Sequence, residues 1–236
     1  IAATQGRSFW MIDDLTPMHQ LTTSLVQEDV ILFKPQDSYR MGGGNGRTSK
    51  TEGTNHPGGV AINYFIKEKD AKEPVSLQIY DSNDALIKTF STNPNKEKKE
   101  AKLTLENGNN IFYWDMMYPG AEKVKGMILW WASLNGPMAL PGNYKVTLTM
   151  GETSKSQNFT ILKNPISETT LADATAQFDF INDINTKVTE IHKALKNVKK
   201  VRAQVTALQT SIKNKEKHSE LLDYAASLLK EMTIIE

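Results

Sequence analysis

Asn109-Asn110-Ile111-Phe112-Tyr113-Trp114-Asp115 is the stretch on which the fold turns. A β-branched residue and three aromatics stand between an Asn pair and an Asp. Such side chains fit a pleated surface, whereas Asn and Asp favour turns, so a strand bounded by turns is expected. Working outward, Val60–Ile66 and Val75–Tyr80 read the same way upstream, followed by 85–90 after the turn Asp81-Ser82-Asn83-Asp84. Downstream lie 127–131 and, beyond Leu140-Pro141-Gly142-Asn143, the alternating run Tyr144-Lys145-Val146-Thr147-Leu148-Thr149. Short alternating runs punctuated by Gly, Pro, Asn and Asp predict an antiparallel β-sandwich over roughly residues 60–159.

Composition narrows the function classes. The 236 residues suffice for one large or two small domains with a real core. A net charge of +1 gives no global reason to expect nucleic acid or an anionic membrane as partner. No apolar run approaches the ~20 residues needed to span a bilayer, so no membrane insertion is expected. The chain has no cysteine, which removes disulfides and thiolate metal sites. It opens at Ile1 without an initiator Met or a leader pattern, and is read as a processed product or a piece of something longer.

Ahead of the sandwich, 1–4 and 6–15 read as two short strands around a Gly turn, a hairpin too small to stand alone in water. Asp13-Asp14, beside Leu-Thr-Pro, reads as a turn former or helix N-cap rather than as acid–base or metal chemistry. Residues 16–27 suggest a helical turn, and Val30-Ile31-Leu32-Phe33 a strand stopped by Pro35. In 38–59 the run Gly42-Gly43-Gly44-Asn45-Gly46 sits among Arg40, Arg47, Lys50 and His56. No Gly-Lys-Ser/Thr follows, so a surface loop is expected instead of a phosphate cradle.

Past Pro165 the period changes. Phe178, Ile181, Ile184, Val188, Ile191 and Leu195 begin a three-and-four spacing that continues to Ile212. That pattern predicts an amphipathic helix from about 172 to 213, on the order of 60 Å long. After Asn214-Lys215-Glu216-Lys217-His218 the stripe resumes at Leu221, Ala225, Leu228, Met232 and Ile235, which predicts a long antiparallel α-helical hairpin. Its apolar seam calls for a third helix, a second copy forming a homodimer, or the flank of the sandwich. Glu236 falls in mid-stripe, so a continuing helix is expected beyond it.

Chemistry is thin. The histidines, His19, His56, His192 and His218, are scattered without metal-ligand spacing, and no metal or cofactor is expected. There is no Gly-x-Ser-x-Gly elbow, and Glu97 with Glu100 sits in a lysine-rich turn, so no catalytic residue is expected. The basic stripe Lys193, Lys196, Lys199, Lys200 and Arg202 lacks interleaved aromatics and reads as a solvated helix face, with no nucleic acid as partner. Trp130, Trp131 and Tyr118 are the candidate binding residues, since exposed aromatic faces on a β-sandwich can stack on a glycan, although the outward Trp is expected to meet the helical hairpin rather than a sugar. Adjacent Trp130 and Trp131 would point to opposite faces if both lay in a strand. Trp114 is expected in the core.

A resemblance goes further. Gly6-Arg7-Ser8-Phe9-Trp10 with Asp13-Asp14-Leu15-Thr16-Pro17 resembles the closing segment of sortilin-like, sialidase-type (Asp-box) β-propeller proteins of bacterial secretomes, some labelled glycosyl hydrolases. Leu32-Phe33-Lys34-Pro35, Pro57-Gly58-Gly59-Val60, Phe112-Tyr113-Trp114-Asp115, Tyr118-Pro119-Gly120-Ala121 and Leu140-Pro141-Gly142-Asn143-Tyr144 resemble the module trailing that propeller. Residues 60–148 also resemble an immunoglobulin-like domain of flagellar hook-cap type. The resemblance implies an N-terminal extension over 1–29 that ends a missing propeller. It further implies an immunoglobulin/fibronectin-like sandwich over 30–164, with the helical hairpin over 165–236. It implies an exported, structural or interaction module partnered by that propeller, which the outward Trp is expected to meet if not the hairpin, with a carbohydrate-binding accessory module as the alternative. No Ser-x-Asp-x-Gly-x-Thr-Trp repeat occurs in the chain, so whatever the propeller does belongs to none of these residues.

Overall fold

A computed structural model describes residues 2–3, 5–6, 9–10, 12, 14–42, 57–68, 73–95, 100–212 and 218–235. The strands are β1 (Ala2–Ala3), β2 (Phe9–Trp10), β3 (Val30–Leu32), β4 (Ser38–Tyr39), β5 (Val60–Ile66), β6 (Val75–Tyr80), β7 (Leu86–Ser91), β8 (Ala101–Lys102), β9 (Gly108–Trp114), β10 (Gly142–Met150) and β11 (Thr153–Leu162). The helices are α1 (Thr16–Gln20), α2 (Leu171–Ile212) and α3 (Ser219–Ile235), with a 3-10 turn at Leu25–Gln27. The chain is thus mixed β and α, with antiparallel sheets followed by a long C-terminal helix.

Three sheets form. β1 and β2 make a two-stranded ribbon; a six-stranded sheet runs β4-β11-β10-β6-β7-β8, and a three-stranded sheet runs β3-β5-β9. Pairing is antiparallel except for two-residue parallel contacts of β4 with β11 and β8 with β7 at the edges of the larger sheet. The quoted stretch is β9, with Val60 opposite Trp114 and Ile66 opposite Gly108. Period-2 burial runs through β6, where Val75, Leu77 and Ile79 point inward, and through β10, where Tyr144, Val146 and Leu148 do. One hydrophobic cluster draws on both larger sheets, joining Ile62, Tyr64 and Trp114 from one to Leu77, Val146 and Phe159 from the other. Trp114 is fully buried, its ring 5.8 Å from that of Tyr144 and 6.1 Å from that of Phe159.

The chain divides into two compact units, residues 1–119 with 138–178, and residues 120–137 with 179–236. The first holds all the described strands. The second holds a loop, most of α2 and all of α3. Thr170 caps α2: its Oγ1 accepts from Asp173 N at 3.1 Å, while Thr170 N donates to Asp173 Oδ2 at 3.0 Å. This reciprocal box satisfies donors that the first helical turn leaves open. Within the second unit Arg202 Nη2 on α2 donates to Thr233 Oγ1 on α3 at 3.1 Å, and Ala225 and Met232 of α3 are buried.

Two expectations need correction. Residues 127–131 form no strand. Met117 bridges Met138, and Ala139 N donates to Met116 O, so the chain leaves and re-enters the first unit at neighbouring points. The apolar run between them meets no ladder, and a strand without a partner does not persist. Second, the expected surface loop over 38–59 begins with β4, because Arg40 N donates to Leu162 O and aligns the preceding residues with β11. Residues 43–56, with the glycine run from Gly43 onward, Arg47, Lys50 and His56, lie outside the described residues, as do Glu97 and 213–217.

Candidate functional site: an apolar loop tip in the helical unit

The second unit contains a loop, 120–137, held along one face of α2. Asn185, Thr189, His192 and Lys196 follow one another at spacings of four, three and four, which keeps them on a single helical face. All four grip the loop. Asn185 Nδ2 donates to Asn135 O at 3.0 Å, and Glu122 N donates to Thr189 Oγ1 at 3.1 Å. His192 Nδ1 donates to Glu122 O, and Lys196 Nζ forms an ion pair with the Glu122 carboxylate. His192 is buried, and a backbone carbonyl receiving its Nδ1–H fixes the ring orientation.

The loop also closes on itself. Ala121 N donates to Leu134 O at 2.9 Å, and a Cβ on Gly120 would stand 1.8 Å from the same oxygen. Only glycine permits that approach. Further along, Gly126 has φ +85°, and Met127 N donates back to Val124 O at 3.3 Å, which tightens a turn over the buried Val124.

Beyond this anchored base the tip is apolar and uncovered. Ile128 is 79% exposed, Trp130 86% and Trp131 98%. Because 127–131 is not a strand, the two indole rings need not alternate between opposite faces, and both stand in solvent. Two lysines of the loop, Lys123 and Lys125, are exposed as well. The tip thus presents large apolar rings flanked by positive charge.

Tyr118, the third candidate, belongs to the first unit. It is half-buried, with its ring edge-to-face on Phe178 at 4.8 Å. Its hydroxyl pKa is pushed up, chiefly by burial and further by the neighbouring Tyr144 and Asp81. Tyr144 in turn donates to Leu140 O at 2.8 Å, and burial raises its own pKa. Tyr118 thus sits in a packed aromatic and phenolic group, while Trp130 and Trp131 stand free.

No group of three or more His, Cys, Asp or Glu that could hold a metal ion occurs among the described residues. Among those residues no helix is long and apolar enough to cross a membrane. No protein-family model matches the chain, and no curated protein matches it.

Sequence reading misses the polar stripe that anchors the loop, and it places Lys196 on a solvated basic face, whereas that lysine is partly buried in its pairing with Glu122. The stripe's signal was present, since Asn185, Thr189, His192 and Lys196 flank the apolar stripe at helical spacing. Nothing local says that the partner of such a stripe is a loop some fifty to seventy residues upstream, as the separations of the hydrogen-bonded pairs are.

Proposed function

We propose that the chain is a non-catalytic interaction module that works by presenting the 127–131 tip to a partner. In this reading the two larger sheets are an immunoglobulin-like sandwich, α2 and α3 form an antiparallel hairpin, and the whole belongs to an exported propeller protein as its C-terminal part. The partner is then the propeller portion or a second copy. The exposure of Trp130 and Trp131, 86% and 98%, carries the reading. Burying such a ring is worth roughly 1.5–3 kcal/mol, and Trp is the residue most enriched among interface hot spots. A base that is anchored so completely to α2 also lowers the ordering cost of binding. A carbohydrate-binding accessory role is the second reading, and the same two free indole faces favour it.

Light-scattering mass and tryptophan emission test the proposal together. The chain is measured alone over a concentration series and then with its N-terminal propeller portion, beside a Trp130→Ser/Trp131→Ser variant. A mass increase with blue-shifted emission, both lost in the variant, is the expected result. A monomer indifferent to that portion, with emission that shifts on adding oligosaccharides, would move the assignment to glycan binding. No response to either would overturn both readings.

A further inference from the structure

Beside the face that grips the 120–137 loop, α2 carries an apolar seam. From Ile184 it steps through Val188, Ile191, Leu195 and Val198 at alternating spacings of four and three. The same rhythm continues through Arg202, Val205, Gln209 and Ile212. Ile184, Val188, Ile191 and Leu195 each precede a loop-gripping residue by one position, about 100° around the helix, so the two surfaces are distinct. A strict four–three repeat makes a narrow coiled-coil stripe, and what fits such a stripe is another helix.

α3 serves only the C-terminal half of this seam. It answers with Leu222, Ala225, Leu229 and Met232, spaced three, four and three, of which Ala225 and Met232 are buried. The short connection after Ile212 holds the start of α3 at that end of α2, while the Arg202–Thr233 hydrogen bond marks how far α3 runs back. Thr233 lies two residues from Ile235, the last residue of α3, so α3 ends within about one turn of Arg202. From Arg202 to Ile212 every seam residue is half-buried. Past the reach of α3, Ile184 is 44% exposed and Ile191 58%, with Phe180 at 66% on the same side.

The uncovered half is thus continuous with a helix–helix interface that already exists, and its charge indicates the partner. Between Ile181 and Lys200, α2 has five lysines against Asp183 and Glu190. Lys187 pairs with Glu190 and Lys196 with Glu122, while Lys193, Lys199 and Lys200 are exposed. The α3 helix, which occupies the other half, sets Glu220, Asp223 and Glu231 against Lys230. A helix of the same chemistry placed end to end with α3 would meet the same seam beside a more basic flank. We infer that the Ile184–Val198 half of the seam is a docking site for an amphipathic α-helix of a partner, with an apolar three–four repeat and an acidic polar face. The inference uses the α2–α3 hairpin of the proposed reading, but a surface other than the 127–131 tip.

The test titrates the full chain into two fluorescein-labelled peptides, three repeats of Glu-Ile-Ala-Ala-Leu-Glu-Lys and three repeats of Lys-Ile-Ala-Ala-Leu-Lys-Glu. They share an apolar repeat and differ in the sign of their net charge. Anisotropy of the acidic peptide rises and saturates. The basic peptide binds about tenfold or more weakly, a gap that high salt narrows. Ile184→Asp/Ile191→Asp, at two positions open to solvent, abolishes binding of the acidic peptide. Because the chain has no cysteine, Ile191→Cys and Lys193→Cys can each carry a single bimane on an otherwise unchanged protein. The acidic peptide blue-shifts the dye at 191 and leaves the dye at 193, about 200° further around the helix, unchanged. Trp130→Ser/Trp131→Ser binds the acidic peptide as the parent does, which keeps this site separate from the tip. No saturable binding at high micromolar concentration, equal affinity for the two peptides, or equal shifts at 191 and 193 would each overturn the assignment. So would binding retained in the double Asp variant, or binding lost in the tryptophan variant, which would place the peptide on the tip instead.

Discussion

Trp114 is wholly buried among Tyr144 and Phe159, whereas Trp131 is 98% exposed on the loop tip. The two should answer the same substitution in opposite ways. Trp114→Ala removes a large ring from a shared core and is expected to cost about 3–5 kcal/mol, read as a lower urea midpoint. Trp131→Ala removes nothing that the folded chain covers and should stay within about 0.5 kcal/mol of the parent. Equal losses at both positions would mean that Trp131 is covered in solution. A pair so divided explains why aromatic content alone says little about function. Residue type was legible at both positions, and burial separates them.

At the level of elements, the 120–137 loop depends on one close backbone approach. Gly120→Ala would place a Cβ 1.8 Å from Leu134 O, and that neighbour is main chain rather than a flexible side-chain end. The loop must shift, which should cost about 1–3 kcal/mol and weaken the Ala121 amide's bond to Leu134 O. Hydrogen exchange at Ala121 would report it. Faster exchange there with unchanged protection in β10 is the expected result, and unchanged exchange at Ala121 would contradict the geometry. Contrast α2, whose existence needed no such detail. Its three-and-four spacing and the Thr170–Asp173 box declare a helix locally, and the helix runs Leu171–Ile212 against an expectation of about 172–213.

For the whole molecule, the buried Tyr64 phenol is expected to make stability fall at alkaline pH. Burial raises the Tyr64 pKa from 10.0 to about 12, and Tyr118 and Tyr144 shift in the same direction. Below pH 10 the phenol is protonated in both folded and unfolded chains, and its contribution is complete. Between pH 10 and about 12 the unfolded chain ionises while folded Tyr64 does not, so stability falls as pH rises. The slope is about 1.4 kcal/mol per pH unit for one such group. Urea midpoints at pH 9, 10 and 11 should decline, less so in Tyr64→Phe, whose lost hydroxyl contact to Thr104 O is a long 3.5 Å. Parallel declines in the two proteins would remove Tyr64 from the account.

Local sequence determined most elements by itself. Val60–Ile66, Val75–Tyr80 and the stretch around Trp114 are strands because alternating apolar and β-favouring residues between turn formers allow little else. The amphipathic period after Pro165 likewise required a long helix. Tertiary structure alone decided what those patterns could not encode. Residues 127–131 have the composition of a strand, yet no sheet edge receives them, because pairing is a property of the partner as well as of the segment. Asn63 reads as a polar residue within a strand, but the α1 segment covers it and makes it part of a cavity floor. Asn185, Thr189, His192 and Lys196 become loop anchors only because residues 120–137 return to them. A strand or a helix follows from neighbours a few residues away, whereas exposure, cavities and anchoring depend on contacts between segments distant in sequence, which local periodicity does not carry.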